Sequence, residues 1–369
     1  MNSETQNKGG FNLLNKILQV SDETVKMTSR LDSTVEKIGK IFNVDAHAPA
    51  DIAEKAENAG VSKSRLGILN TIILGIMAGL FIGLGAVFST LVTTNSGLSF
   101  GTAKLAGGLV FCLGLILVVI AGAELFTGNN LIVVGWLSGK VKSRRLLKNW
   151  GLVYVANLAG SLLLVGLMFL SDQWTLNGYG VGANALSIAN AKVNLSFGAA
   201  LARGILCNVL VCLAVWLCFS ARSVADKVIA IIFPVTAFVA AGFEHSVANM
   251  YFIPMGILMS HQPGVLAAAG VTPQSVANLT WAGFIGNLIP VTIGNIVGGV
   301  AVGAVYWANY LRKNKQAAKT TVRKPWMKND KEFIDRLMEN PGETLREYDN
   351  LNDEEKIAIS NYLKAKYIN

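Results

Sequence analysis

Six long apolar stretches run through the middle of the chain, near 67–93, 105–138, 149–171, 195–219, 228–259 and 277–311. Each is long enough to cross about 30 Å of hydrocarbon as a helix rising about 1.5 Å per residue. The first, third and sixth carry no charged residue; the second carries only Glu124, the fourth only Arg203, and the fifth only Glu244 with His245. The second and fifth exceed what one simple helix needs, and both hold a polar cluster at mid-length. Irregular backbone at that depth survives only where it is buried in protein or lines a cavity. The pattern therefore predicts an all-α polytopic membrane protein with broken second and fifth helices.

Comparing the chain with itself gives the most informative signal. AGAELFTGN (121–129) and AGFEHSVAN (241–249) share Ala-Gly-x-Glu-x-x-x-x-Asn. The following spans match as well: Asn149 precedes Asn157-Leu-Ala-Gly160 as Asn287 precedes Asn295-Ile-Val-Gly298. Three spans per repeat make the halves enter the membrane from opposite sides. This is an inverted 3+3 repeat, whose functional site falls near the midplane in discontinuous helices. An ionisable residue there is a functional candidate by default; the alternative is two kinked helices whose polar groups only satisfy each other.

Orientation follows from the basic loops. GKVKSRRLLK carries Lys140, Lys142, Arg144, Arg145 and Lys148, and lies on one side with Arg222, Lys227 and the basic run after Arg312. The opposite loops, 94–104, 172–194 and 260–276, carry only Lys104, Asp172 and Lys192. Both termini are expected in the cytoplasm and the protein in the inner membrane. MNSETQNKGG is polar with no short apolar run after it, so no cleavable leader is read there.

Composition sharpens this picture. Of 369 residues 15% are charged, against about 25% for soluble domains. Residues 67–311 hold only 10 Lys/Arg and 4 Asp/Glu, so the charge resides in the two ends. The net charge of +9 could suggest nucleic acid, but its scatter over loops without a reader motif fits membrane topology better. Cys112, Cys207, Cys212 and Cys218 all lie in apolar stretches without metal-ligand spacing, and read as small buried hydrophobes. No nucleophile–base, metal or nucleotide constellation is visible, so neither an enzyme nor a cofactor is implied.

AELFTGN, RGILCNVLVCLAVW, GFEHSVANMYFIPMGI and NLIPVTIGNIVGG resemble signature stretches of the formate/nitrite transporter family, collinearly over about residues 50–313. Within it the sequence is most similar to bacterial formate channels. The resemblance implies an aquaporin-like six-helix protomer, a homopentamer, and one substrate pore per protomer. It makes His245 the central pore residue, facing Thr127 and Asn208, which would fix its tautomer and hydrogen-bond a passing anion. It places constrictions at Phe111, Leu115, Leu125 and Phe238, where a dry apolar ring opposes a bare charge. It also implies that Glu244 pairs with Lys63 and Glu124 with Lys192, one pair on each side. These pairs would pin the broken ends or draw anions into each vestibule. Arg203 could face the pore, cap a broken helix or sit at a subunit contact.

From the residues themselves, His245 is the one histidine at membrane depth, and an imidazole can donate to an anion or exchange a proton. The implied function is a channel for formate or a similar small monovalent weak-acid anion, crossing as the anion or, at low pH, as the neutral acid. Nitrite, hydrosulfide, acetate and lactate are alternatives in the same class. An aquaporin-like neutral-solute channel is disfavoured because paired Asn-Pro-Ala motifs are missing. A membrane sensor has no kinase or receiver motif behind it.

The expected organisation is a cytoplasmic N-terminal extension (1–49), an amphipathic cytoplasmic helix (50–66), a channel domain (67–311) and a cytoplasmic helical tail (312–369). In the extension, Leu31, Val35, Ile38 and Phe42 are spaced like a short helix-association seam. In the tail, basic residues 312–328 suit anionic headgroups. Phe333, Ile334, Leu337 and Met338 form an apolar face ended by Pro341-Gly342, and Asn352-x-x-Glu355 resembles a capping box before Ile357, Ile359 and Leu363.

Overall fold

The structure is a computed structural model and describes residues 47–312. The seam at Leu31–Phe42 and the tail helices beyond Arg312 lie outside the described residues. The first half of the described chain comprises α1 (Pro49–Ser64), α2 (Ile68–Thr93) and α3 (Phe100–Leu117, continued by a π turn, Val118–Gly122). A break at 123–125 leads into α4 (Phe126–Asn129), a 3-10 turn (Asn130–Ile132) and α5 (Val133–Leu137), and then α6 (Ser143–Leu170). The second half repeats this order as α7 (Gly180–Val193), α8 (Phe197–Ser220), α9 (Val224–Ala240), a break at 241–245, and α10 (Ser246–Met259). A short α11 (Pro263–Ala269) precedes α12 (Trp281–Tyr306), which runs on as a π turn (Trp307–Leu311).

The second and fifth spans are thus each two half-helices, as the polar clusters implied. Among the described residues five helical stretches are individually long and apolar enough to cross a membrane, and α9 with α10 supplies the remaining crossing in two pieces. Large apolar side chains such as Leu69, Val155, Leu170 and Phe233 stay exposed on the outside, where hydrocarbon would cover them. The chain is a multi-pass membrane protein.

Two differences from the sequence reading have simple causes. α6 starts at Ser143, six residues before its apolar window, because the basic stretch SRRLLK continues the helix into the interface. α7 and α11 occupy loops 172–194 and 260–276, where hydropathy gives no sign of them. Extending the repeat comparison would have found α7, since it is the counterpart of α1.

Each break closes in the same way. The Ala123 amide donates to the Val118 carbonyl at 2.9 Å and the Phe243 amide to the Phe238 carbonyl at 3.0 Å, so each parent helix ends on an i to i−5 bond. Gly122 and Gly242 hold φ of +84° and +69°, a region a Cβ strongly disfavours, which explains why both repeats keep Ala-Gly before the glutamate. Behind the breaks, α2 packs on α6 and α8 on α12 at very close range. A Cβ on Gly160 would sit 2.0 Å from the Ile76 carbonyl oxygen, and one on Gly298 2.3 Å from that of Ile205. Small residues let these backbones meet where no hydrophobic force drives helices together.

Gly160→Ala should therefore push α6 off α2 and cost about 1–3 kcal/mol. Gly151→Ala, on the same helix with nothing within 4 Å, should be neutral or slightly stabilising. Thermal midpoints of the detergent-solubilised proteins test this; equal midpoints for the two variants would refute the close-contact account.

Candidate functional site

Breaking a helix inside hydrocarbon strands N–H and C=O groups that water cannot reach. The two breaks answer this with one design used twice. Glu124 Oε1 accepts from Lys63 Nζ at 2.6 Å, and its Oε2 accepts from Asn129 Nδ2 at 2.6 Å. Glu244 does the same with Lys192 Nζ at 2.9 Å and Asn249 Nδ2 at 2.7 Å. Asn129 also donates to Asn149 Oδ1 (3.0 Å), as Asn249 does to Asn287 Oδ1 (2.8 Å). Asn149 and Asn287 in turn donate to the carbonyls of Lys63 and Lys192.

A second asparagine ties down the backbone of each break. Asn157 Nδ2 donates to the Glu124 carbonyl (2.9 Å) and the Gly75 carbonyl (2.8 Å), while its Oδ1 accepts from the Phe126 amide (2.9 Å). Asn295 donates to the Glu244 and Gly204 carbonyls at 3.0 and 2.8 Å and accepts from the Ser246 amide at 2.9 Å. Each half-helix thus receives its first N-terminal partner from a neighbouring span. The repeat had marked all six asparagines, but their bonding became visible only in three dimensions.

The ion pairs correct the pairing implied by resemblance. Lys63 pairs with Glu124 and Lys192 with Glu244, each within its own half. The reason is local: α1 and α7 each end beside the break of the same repeat, so the lysine before a first span reaches the glutamate of that repeat. Each half keeps one pair. A third pair, Lys140 with the buried Glu57, ties α1 to the loop after α5 and was not anticipated.

Where the repeat is broken, chemistry appears. Leu125 and His245 occupy equivalent positions, each the N-cap residue of its half-helix. Leu125 offers no cap. His245 Nδ1 accepts from the Ala248 amide at 3.1 Å, so the ring's proton sits on Nε2, which faces Thr127 Oγ1 at 2.9 Å. Nε2–H therefore donates to the threonine, whose own O–H is left to donate onward. His245 is 3% exposed and Thr127 fully buried.

Asn208 departs from expectation. It makes no recorded hydrogen bond to His245; its Nδ2 donates to the Asn295 carbonyl (2.6 Å), to Asn130 Oδ1 (2.9 Å) and to the Thr127 carbonyl (3.3 Å). It braces the backbone behind Thr127, and the tautomer of His245 is set by Ala248 and Thr127. Asn208 Oδ1 is buried with no hydrogen-bond partner.

A cavity of about 310 Å³ opens on the Lys192 side and reaches His245. Phe111 and Phe238 line it, with ring centroids 5.9 Å apart, and Phe238 stacks on the His245 ring at 6.0 Å. Leu115 and Leu125 are buried but do not line this cavity; Leu125 sits at the opposite break. Lys104, Lys192 and Arg203 also line the cavity. Arg203 lines this cavity, and its guanidinium also reaches the Gly242 carbonyl of the break, Nη1 to O at 3.5 Å. The four cysteines are buried free thiols.

The pairing can be checked by double-mutant cycles. Lys192→Met with Glu244→Gln should show a coupling of about 1–3 kcal/mol in unfolding measured in mixed micelles, as should Lys63→Met with Glu124→Gln. Lys63→Met with Glu244→Gln should be additive within about 0.5 kcal/mol. Coupling across the halves would overturn the assignment.

A family model described as formate/nitrite transporter matches residues 50–308. The chain is 49% identical over 276 residues to the formate channel FocA of Escherichia coli (strain K12), an alignment spanning 73% of this chain and 96% of that one. It is 40% identical over 272 residues to formate channel FocA of Haemophilus influenzae, covering 73% and 95%. A solved structure described as a pentameric formate channel with formate bound superposes with a TM-score of 0.63 at 47% identity, covering 66% of this chain and 98% of that one. The inverted repeat, its two broken spans and the near end-to-end match to these relatives agree: the chain belongs to the formate/nitrite transporter family.

Proposed function

We propose that the protein conducts formate, or a close small weak-acid anion, through a pore in each protomer of a homopentamer. The cytoplasmic membrane is its place, with both termini inside, and it acts as a conduit with no chemical turnover of its own. The observation that carries this reading is the directed hydrogen-bond chain at the meeting point of the half-helices. The Ala248 amide donates to His245, His245 donates to Thr127, and Thr127 has a proton left to give. An anion arriving there finds a neutral donor whose polarity traces back to a helix N-terminus.

The relatives support the substrate class, being named formate channels, and the solved neighbour is described as pentameric with formate bound. The cavity supports the route. Cations draw the anion in, and Phe111 and Phe238 then strip its water, which strongly opposes a permanent charge. A weak acid can avoid this cost by taking up a proton and crossing as the neutral species, so uptake is expected to rise as external pH falls. Nitrite, also a planar two-oxygen monoanion, fits the same donors and is the alternative within the family; hydrosulfide fits less well because it offers a single acceptor.

Two flux measurements on purified protein in liposomes test this. Wild-type protein should take up formate faster under an inward proton gradient, and His245→Ala should lose most of that sensitivity; uptake indifferent to both would overturn the proposal. Thr127→Val keeps the shape but removes the last donor, and should lower formate flux about ten- to a hundredfold, from about 1.5–3 kcal/mol for a hydrogen bond to a charged group. Thr127→Ser should retain most of it. Swelling in glycerol but not formate would favour a neutral-solute channel.

A further inference from the structure

The cavity on the Lys192 side holds a charge that the repeat does not explain. The Glu124 amide donates to the Leu74 carbonyl at 3.1 Å, and the Glu244 amide to the Arg203 carbonyl at 3.3 Å. Leu74 and Arg203 are therefore equivalent, and both serve their break through the backbone; the Arg203 guanidinium adds only a long contact to the Gly242 carbonyl at 3.5 Å. One half does this with an apolar side chain, so the framework has no need of a guanidinium. Its presence at membrane depth, where charge is expensive, requires another reason.

The surroundings of Arg203 supply one. Lys192 is already neutralised by Glu244, whose second oxygen is held by Asn249. Among the described residues, the recorded polar contact of the Arg203 side chain is a long one, Nη1 to the Gly242 carbonyl at 3.5 Å. Lys104, across the cavity, has its ammonium 5.7 Å from the centre of the Phe100 ring. No acidic residue other than the paired Glu244 lines the space. Among the described residues the cavity thus holds two cations without a carboxylate partner, in the same space that Phe111 and Phe238 line.

We infer that Arg203 is a substrate-recognition residue: its guanidinium binds the carboxylate of an incoming anion through two parallel hydrogen bonds before the anion reaches the constriction. This deepens, and rests on, the formate-channel reading. A planar fork matches a two-oxygen anion such as formate and gives no such match to a one-centre anion such as hydrosulfide. Lys104 contributes attraction without geometry. Selection then occurs in the open cavity, while the narrowing and His245 act on an anion already chosen.

The test compares wild-type protein with Arg203→Leu, which installs the residue the other half carries, and Arg203→Lys, which keeps charge but loses the fork. Initial formate and hydrosulfide fluxes are followed against concentration in liposomes. Arg203→Leu should raise the formate half-saturation concentration about tenfold, with a smaller rise for hydrosulfide. Arg203→Lys should bring hydrosulfide back to the wild-type value and leave formate several-fold weaker. Wild-type formate half-saturation in Arg203→Leu, or full recovery of formate in Arg203→Lys, would overturn the inference. Occupancy is read without conduction by modifying arginines of the wild-type protein with phenylglyoxal and mapping them by peptide mass spectrometry. Formate should protect Arg203 and leave Arg222 unprotected. Protection without flux would sink the channel reading and spare this one; flux without protection would do the reverse.

Discussion

Everything in this molecule follows from having to interrupt two helices where no water can satisfy the severed backbone. Each break exposes amides and carbonyls at a depth where an unpaired group costs several kcal/mol. The fold meets the cost with a glutamate, a lysine and three asparagines per half: two asparagines join the glutamate–lysine pair, and the third bonds the backbone of the break. The close crossings of α2 with α6 and α8 with α12 bring Asn157 and Asn295 within reach of those breaks. Without such crossings the amides would fall short, so helix packing and polar satisfaction are one requirement.

Upon that shared design the halves diverge at a few positions, and the residues proposed above to meet the substrate are among them. Leu125 in one half stands where His245 does in the other, and Leu74 where Arg203 does. A structural role would be expected to act on both halves alike, as it does for the glutamates and asparagines. Asymmetry at equivalent positions therefore separates residues that hold the pore from residues that handle what passes through it. The glutamates, placed by the sequence reading between two roles, belong with the structural set by their bonding: both oxygens of each are engaged by the protein.

Much of this was legible beforehand, for physical reasons. Hydropathy reports depth, so six crossings and two interruptions could be read, and an internal repeat reports symmetry, so the breaks could be aligned. Neither reports direction around a helix axis. The pairing of Lys63 with Glu244 and the placing of Asn208 beside His245 were implied by resemblance, and neither hydropathy nor the repeat could check them; Lys63 bonds Glu124, and the Asn208 amide braces Asn295, Asn130 and Thr127. Helix α7 escaped because, at 14 residues, it is too short to register as a membrane crossing. The six asparagines show the middle case: the repeat picked them out, but a hydrogen bond depends on angles that spacing does not carry.

The central claim is that the substrate path crosses the membrane where the two half-helices meet, between Thr127 and His245. A cysteine at that point tests it most directly. Thr127→Cys protein in liposomes, treated with methyl methanethiosulfonate, should be modified and lose formate flux, with formate slowing the modification, while the unsubstituted protein keeps its flux. Complete modification at position 127 with formate flux unchanged would contradict the account.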